Sequence, residues 1–205
     1  MLSVVDLECV RGDRRLFSAL NFSLGEGEVL HLRGRNGSGK TTLLRTLCGL
    51  SEPEQGEIRW RDEKIGALAE GFCREVLYLG HLNAVKGDLT AVENLSVAAQ
   101  LDGDDLAETQ IWDALQEVGL RGYEDLPVRV LSQGQKRRVA LARLLLTTAR
   151  LWILDEPFVA LDSAAVEQLR EVIERHVAQG GLVVLTTHQE IEWTSGRVQE
   201  IELDA

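Results

Sequence analysis

Residues 34–41 read Gly34-Arg35-Asn36-Gly37-Ser38-Gly39-Lys40-Thr41, which fits G-x-x-x-x-G-K-[ST] without a mismatch. The flanks agree with the motif. The apolar stretch 29–33 before it reads as a strand, and Leu43, Leu44 and Leu47 after it fall at helical spacing, with Gly49 near the end of a helix expected over 40–50. A strand, a glycine-rich loop and a helix in this order constrain the chain to an α/β fold with the loop at a strand's carboxyl end. The glycines allow close wrapping of phosphate oxygens with inward N–H groups, and the helix adds its positive end. Gly34 to Lys40, Thr41 and the following Thr42 are therefore the expected nucleotide-binding residues. Lys40 is expected at the β- and γ-phosphates and Thr41 at Mg²⁺.

A second motif lies far along the chain. Leu151-Trp152-Ile153-Leu154-Asp155-Glu156-Pro157 is an apolar strand ending in two acids. Alone it is an acidic turn after a core strand. After a phosphate loop it places Asp155 to hold Mg²⁺, directly or through water, and Glu156 to polarise an attacking water as general base.

Net charge and apolar patterning exclude other classes. The chain has 205 residues, enough for one domain with a substantial core, and a net charge of −11. That charge repels a nucleic-acid backbone, although Lys136, Arg137 and Arg138 leave room for a local basic patch. The first ten residues carry Asp6 and Glu8 and lack the basic start and apolar run of a signal peptide. The apolar stretch 139–154 is broken by Arg143, Thr147, Thr148 and Arg150, so any work at a membrane goes through a partner. Cys9, Cys48 and Cys73 form no C-x-x-C pair and read as buried thiols.

Further strands are expected at 3–10, 17–24, 56–60, 75–79, 151–154 and 182–187, and helices at 91–100, 108–118, after Ser132, and over 163–179. The helical middle, 81–135, reads as a small subdomain within a single domain spanning 1–205.

Leu131-Ser132-Gln133-Gly134-Gln135 precedes a basic, alanine-rich helix from Lys136 to Arg143. By itself it is a helix cap with Ser132 as N-cap. With the two motifs above it resembles the LSGGQ signature of ABC ATPases, and the likeness extends over essentially the whole chain. The resemblance implies a P-loop NTPase of α/β class, with a RecA-like core, an antiparallel β subdomain and a small helical subdomain. It implies ATP hydrolysis with Mg²⁺ by two copies meeting head to tail. Each ATP would lie between one copy's phosphate loop and the other's Ser132 and Gly134. Ala160-Leu161-Asp162 matches the family's D-loop, and Thr186-Thr187-His188 its switch histidine.

Three positions depart from that pattern. Gln133 replaces a glycine of the signature. His81 occupies the Q-loop position where glutamine is usual; its nitrogen can bind Mg²⁺ or water, or the ring can simply face solvent. Arg11 stands where an adenine-stacking aromatic is common; it can stack as a guanidinium plane or do nothing.

Tyr78-Leu79-Gly80-His81, Lys86 and Leu89-Thr90-Ala91-Val92-Glu93-Asn94 look like the ATP-binding subunit of the cytochrome c maturation haem exporter. That likeness implies a peripheral subunit on the cytoplasmic face of a bacterial inner membrane. Its partners would be integral membrane subunits and, indirectly, a haem chaperone, with no nucleic acid and no haem bound by the chain itself. The alternatives are the ATPase of another exporter and a soluble, non-transport ABC ATPase. A P-loop kinase shares only the first motif.

Overall fold

The computed structural model describes residues 1–68, 70–194 and 196–203. In chain order the elements are β1 (Leu2–Arg11), β2 (Arg14–Leu24), β3 (Glu28–Gly34), α1 (Lys40–Leu47), β4 (Gln55–Trp60), β5 (Glu63–Lys64), α2 (Ile65–Leu68), α3 (Glu70–Glu75) and β6 (Val76–Leu79). There follow α4 (Ala91–Asp102), α5 (Glu108–Glu117), a 3-10 turn (Val128–Val130), α6 (Gln133–Leu146), β7 (Leu151–Asp155), α7 (Ser163–Ala178), β8 (Leu182–Thr186) and β9 (Arg197–Leu203). The chain divides into two compact units, Met1–Tyr78 with Ala149–Glu156 and Ile173–Ala205, and Leu79–Thr148 with Pro157–Val172.

The first unit holds two sheets. One is antiparallel with strand order β2-β1-β4-β5, and the other has the order β6-β7-β8-β3-β9. In the second sheet β3 runs parallel to β8 and β9, and β7 parallel to β8. β7 and β8 are buried at every position, which explains why both read as unbroken apolar runs. One core joins the two sheets to α1: Leu2, Val4, Ile58 and Trp60 from the first, Leu30, Leu32, Ile153 and Val184 from the second, and Leu43, Leu44 and Leu47 from the helix. The phosphate-loop helix is thus anchored by three fully buried leucines, each worth about 1.5–3 kcal/mol of burial.

The second unit packs α4, α5 and α6 around Leu95, Ile111, Leu115, Leu120, Val139 and their neighbours. Two helices start with a reciprocal cap. Thr90 accepts from the Glu93 amide while Glu93 accepts from the Thr90 amide, and Ser132 and Gln135 do the same at α6. The buried Asn94 side chain accepts from the Lys86 amide at 2.7 Å and donates to the Lys86 carbonyl at 3.0 Å, which closes the turn leading into α4.

Several expectations are corrected. The helix expected over 40–50 ends at Leu47, because Gly49 turns left-handed with φ 73°. β5, α2, α3 and β9 were not expected. β9 is a polar edge strand with a buried Leu203, too weakly alternating to stand out from loop sequence. Of the three cysteines, only Cys9 is buried; Cys48 is half-buried and Cys73 exposed. The basic patch does not form as such. Arg137 is buried, and Arg138 donates to Asp162 at 2.7 Å. No helix among the described residues is long and apolar enough to cross a membrane.

Candidate nucleotide site

The loop from Gly34 to Gly39 leaves β3 and enters α1 through left-handed backbone. Gly34 has φ 141°, Gly37 83° and Gly39 105°. A Cβ at Gly34 would lie 2.6 Å from the Leu203 carbonyl and 2.7 Å from Ser38 Oγ, so only glycine fits there. Gly39 is the N-cap of α1 and supplies no side chain to it. The first amides of α1 therefore have no side-chain cap and stand ready for an anion. Lys40 Nζ donates to the Gly34 carbonyl at 2.7 Å and to the Arg35 carbonyl at 3.3 Å, which folds the ammonium over the mouth of the loop. Arg35, Asn36 and Gly37 are exposed, and Thr42 is half-buried. Ser38 is 1% exposed, and its hydroxyl lacks a hydrogen-bond partner among the described residues.

Strand β7 delivers the two acids from the neighbouring side of the sheet. Asp155 is buried. Its Oδ2 accepts from Thr41 Oγ1 at 2.8 Å, and its Oδ1 accepts from Thr186 Oγ1 at 2.9 Å. The same Thr186 oxygen accepts the Glu156 amide at 2.9 Å. One hydroxyl at the end of β8 therefore fixes the side chain of one acid and the backbone of the next. Glu156 adopts φ 50°, which turns its side chain out of the strand's direction. His188 Nε2 lies 3.3 Å from Glu156 Oε1; the glutamate side chain is 14% exposed and the imidazole 62%. The acid is sheltered and its partner can be reached from solvent. Burial pushes the Tyr78 hydroxyl up to about 12, and the nearby Asp155 charge adds to the rise.

A hydroxyl and a carboxylate, both hard oxygen donors held 2.8 Å apart beside a phosphate-type loop, suit Mg²⁺, which takes one or two carboxylates plus substrate phosphates.

Other expected residues lie in the second unit. Leu131 is buried and Ser132 is the N-cap of α6, with Gln133, Gly134 and Gln135 forming its first turn. A Cβ at Gly134 would sit 3.0 Å from the Ala160 carbonyl. Asp162 accepts from the Ala165 amide and from Arg138; the amide first, then the guanidinium, holds its carboxyl below the usual range. His81 is exposed, in a bend whose Gly80 carbonyl and Asn83 side chain both accept from Arg137. Arg137 also donates to the Pro157 carbonyl at 3.3 Å.

The structure gathers the 34–42 segment, Asp155, Glu156 and His188 within the first unit, and residues 131–135, Asp162 and His81 within the second. Arg11 stands exposed at the β1–β2 turn, opposite Arg14. The bridging role of Thr186 and the anchoring role of Arg137 were missed in the sequence. A threonine at a strand end and an arginine in a basic helix carry no signal until their partners are known.

Residues 17–159 match the ABC transporter family. The chain is 55% identical over 203 residues to the cytochrome c biogenesis ATP-binding export protein CcmA of Dechloromonas aromatica, covering 99% of this chain and 100% of that protein. It is 54% identical over 202 residues to the protein of the same name in Nitrosospira multiformis, covering 98% of each. Among solved structures it resembles a putative ABC transporter ATP-binding protein from Pyrococcus furiosus, with TM-score 0.83, 28% identity and coverage of 97% and 96%. It shares its fold with the ATP-binding cassette MJ0796, solved as a dimer bound to ADP and Pi, with TM-score 0.81, 23% identity and coverage of 92% and 88%.

Proposed function

The chain belongs to the ABC transporter family, and from that premise we propose that it is the ATP-hydrolysing subunit of a transport complex serving cytochrome c biogenesis. The observation that carries this reading is the hydrogen-bonded run Thr41–Asp155–Thr186–Glu156, closed by His188, at the mouth of the phosphate loop. Relatives at 55% and 54% identity, matched over nearly their whole length, are named for ATP-binding export in cytochrome c biogenesis, which supports the assignment of the load.

In this reading the whole chain, 1–205, is one ATP-binding domain with a helical subdomain over 81–135. The loop amides of 34–42 and Lys40 bind the triphosphate. Thr41 and Asp155 hold Mg²⁺, which neutralises phosphate charge when bound. Glu156 takes a proton from the attacking water; the water oxygen bonds to the γ-phosphorus, the bond to the β-phosphate oxygen breaks, and ADP leaves. His188 orients the glutamate and the γ-phosphate. A second copy, head to tail, adds Leu131, Ser132, Gln133, Gly134 and Gln135 to the far side of the nucleotide, with Asp162 near the junction. His81 either offers a ring nitrogen to Mg²⁺ or water or faces solvent, and Arg11 either stacks on the base or takes no part. The complex sits on the cytoplasmic face of a bacterial inner membrane, bound to integral subunits and, through them, to a haem chaperone.

The test is to purify the tagged Glu156→Gln chain with its membrane partners and identify them by mass spectrometry, while assaying wild-type ATP turnover. Haem-export subunits together with Glu156-dependent turnover support the reading. Unrelated membrane partners overturn the load, and undiminished turnover by Glu156→Gln overturns the base.

A further inference from the structure

We propose that His31 is a positioning residue for hydrolysis, acting through the backbone of the turn that carries His188. The inference rests on the ATPase reading above.

His31 lies in β3, inside the parallel sheet, and is 6% exposed. Its neighbours in register are Leu185 on β8 and Glu200 on β9. Strand β8 stops at Thr186, so the Thr187 carbonyl lies just past Leu32 and Thr186, the last pair of the β3–β8 ladder. His31 Nε2 donates to that carbonyl at 3.2 Å. A carbonyl only accepts, so the ring carries its proton on Nε2 in this contact. On the other side Nδ1 faces Glu200 at 3.6 Å, and Arg33 shares that carboxylate at 3.4 Å. The ring thus sits between the Thr187 carbonyl, to which it is hydrogen-bonded, and the Glu200 carboxylate of β9.

The Thr187 carbonyl belongs to the peptide bond that leads into His188. Holding it fixes the plane of that peptide and so the direction in which the His188 side chain leaves the sheet. The Thr187 hydroxyl, accepting from the Gln189 amide at 3.0 Å, tightens the turn from the other side. His188 is largely exposed, with 62% of its side chain open, and it stands 3.3 Å from Glu156. The rigid element that sets this distance is the turn, and a buried hydrogen bond from β3 secures the turn. Misplacing a catalytic group by about 1 Å costs on the order of a hundredfold in rate. A residue that leaves the phosphate loop untouched but loosens this turn should therefore slow the chemical step without weakening ATP binding.

The experiment compares His31→Gln, which keeps an N–H donor at similar reach, with His31→Met, which has similar bulk and no donor. Steady-state ATP turnover is measured on the full chain purified from membranes, with ATP affinity measured in parallel. The expected result is a loss of about tenfold or more in kcat for His31→Met, with KM for ATP within about twofold, and near wild-type kcat for His31→Gln. Full turnover by His31→Met overturns the proposal. So does a His31→Met chain that loses ATP affinity or fails to fold, or a His31→Gln chain that fails to recover, since each makes the role merely structural. A His188→Ala control separates the two levels. If that variant hydrolyses ATP at the wild-type rate, the role of His188 in the ATPase reading fails and the positioning role of His31 falls with it; a slow His188→Ala beside a full-rate His31→Met overturns the His31 proposal alone.

Discussion

Thr41 Oγ1 donates to Asp155 Oδ2 over 2.8 Å, joining the first turn of the phosphate-loop helix to the tip of β7 across 114 residues of chain. Thr186 completes the arrangement from β8 by bonding both Asp155 and the Glu156 amide. Three strand and helix ends thus meet through two hydroxyls and one buried carboxylate.

Thr186→Val tests that joint. The substitution keeps the shape and removes a hydroxyl that makes two hydrogen bonds. Unfolding free energy should fall by about 1–3 kcal/mol, measured by urea titration. ATP turnover should fall more than ATP affinity, because Glu156 loses a backbone anchor while the phosphate loop stays intact. An unchanged kcat would show that the anchor is dispensable.

Glu156→Gln removes the acceptor for the water proton and keeps the shape of the side chain. Turnover should drop by about 10²–10⁴-fold with ATP still bound, and an ATP-dependent dimer should accumulate on size exclusion. Lys40→Ala should instead abolish tight ATP binding, read by equilibrium titration, because the triphosphate loses its main side-chain cation.

Ser132 has two roles that separate by substitution. Ser132→Ala loses the cap of α6, at a cost of about 1 kcal/mol in stability. Ser132→Asp keeps a strong cap and adds a negative charge. If Ser132 faces the phosphates of ATP on a second copy, the aspartate chain should be as stable as wild type in thermal unfolding and yet inactive. An active Ser132→Asp chain would remove Ser132 from the composite site.

His176 supplies an acid-sensitive element away from the nucleotide. Its ring stacks on Trp152 with centroids 3.7 Å apart and an interplanar angle of 5°. Burial drives its pKa down from 6.5 to about 4, partly opposed by hydrogen bonds to the Arg150 and Leu182 backbone. The unfolded chain binds this proton first as pH falls, so the folded state loses stability between about pH 6.5 and 4 and keeps it fully above that window. The thermal midpoint should fall across this range, and His176→Phe should flatten that part of the profile.

The cysteines should differ in reactivity. Cys73 is exposed, whereas burial pushes the half-buried Cys48 thiol up to about 12 and keeps it protonated. Brief alkylation of the folded chain at pH 8 should label Cys73 first, as read by peptide mass spectrometry. Equal labelling of Cys48 would show that the chain around it opens readily.

The local motifs were legible without coordinates because each depends on residues within one turn of chain. Glycine spacing sets the backbone of the 34–41 loop, an apolar run followed by two acids marks a buried strand tip, and Ser132 with Gln135 announces a helix start. Consecutive covalent geometry alone determines such features. What only the tertiary structure decided is who meets whom across long separations. Thr41 reaches Asp155, Thr186 serves two acids, Arg137 holds the bend around His81, and His31 reaches the Thr187 carbonyl across 156 residues. β9, polar and at the edge, became a strand only because β3 offered it a ladder. Apart from the Arg137 contacts, which α6 makes in the helical unit, these pairings follow from the order and register of five strands in one sheet, and the hydrogen bonds that define that register have no counterpart in the spacing of residues along the chain.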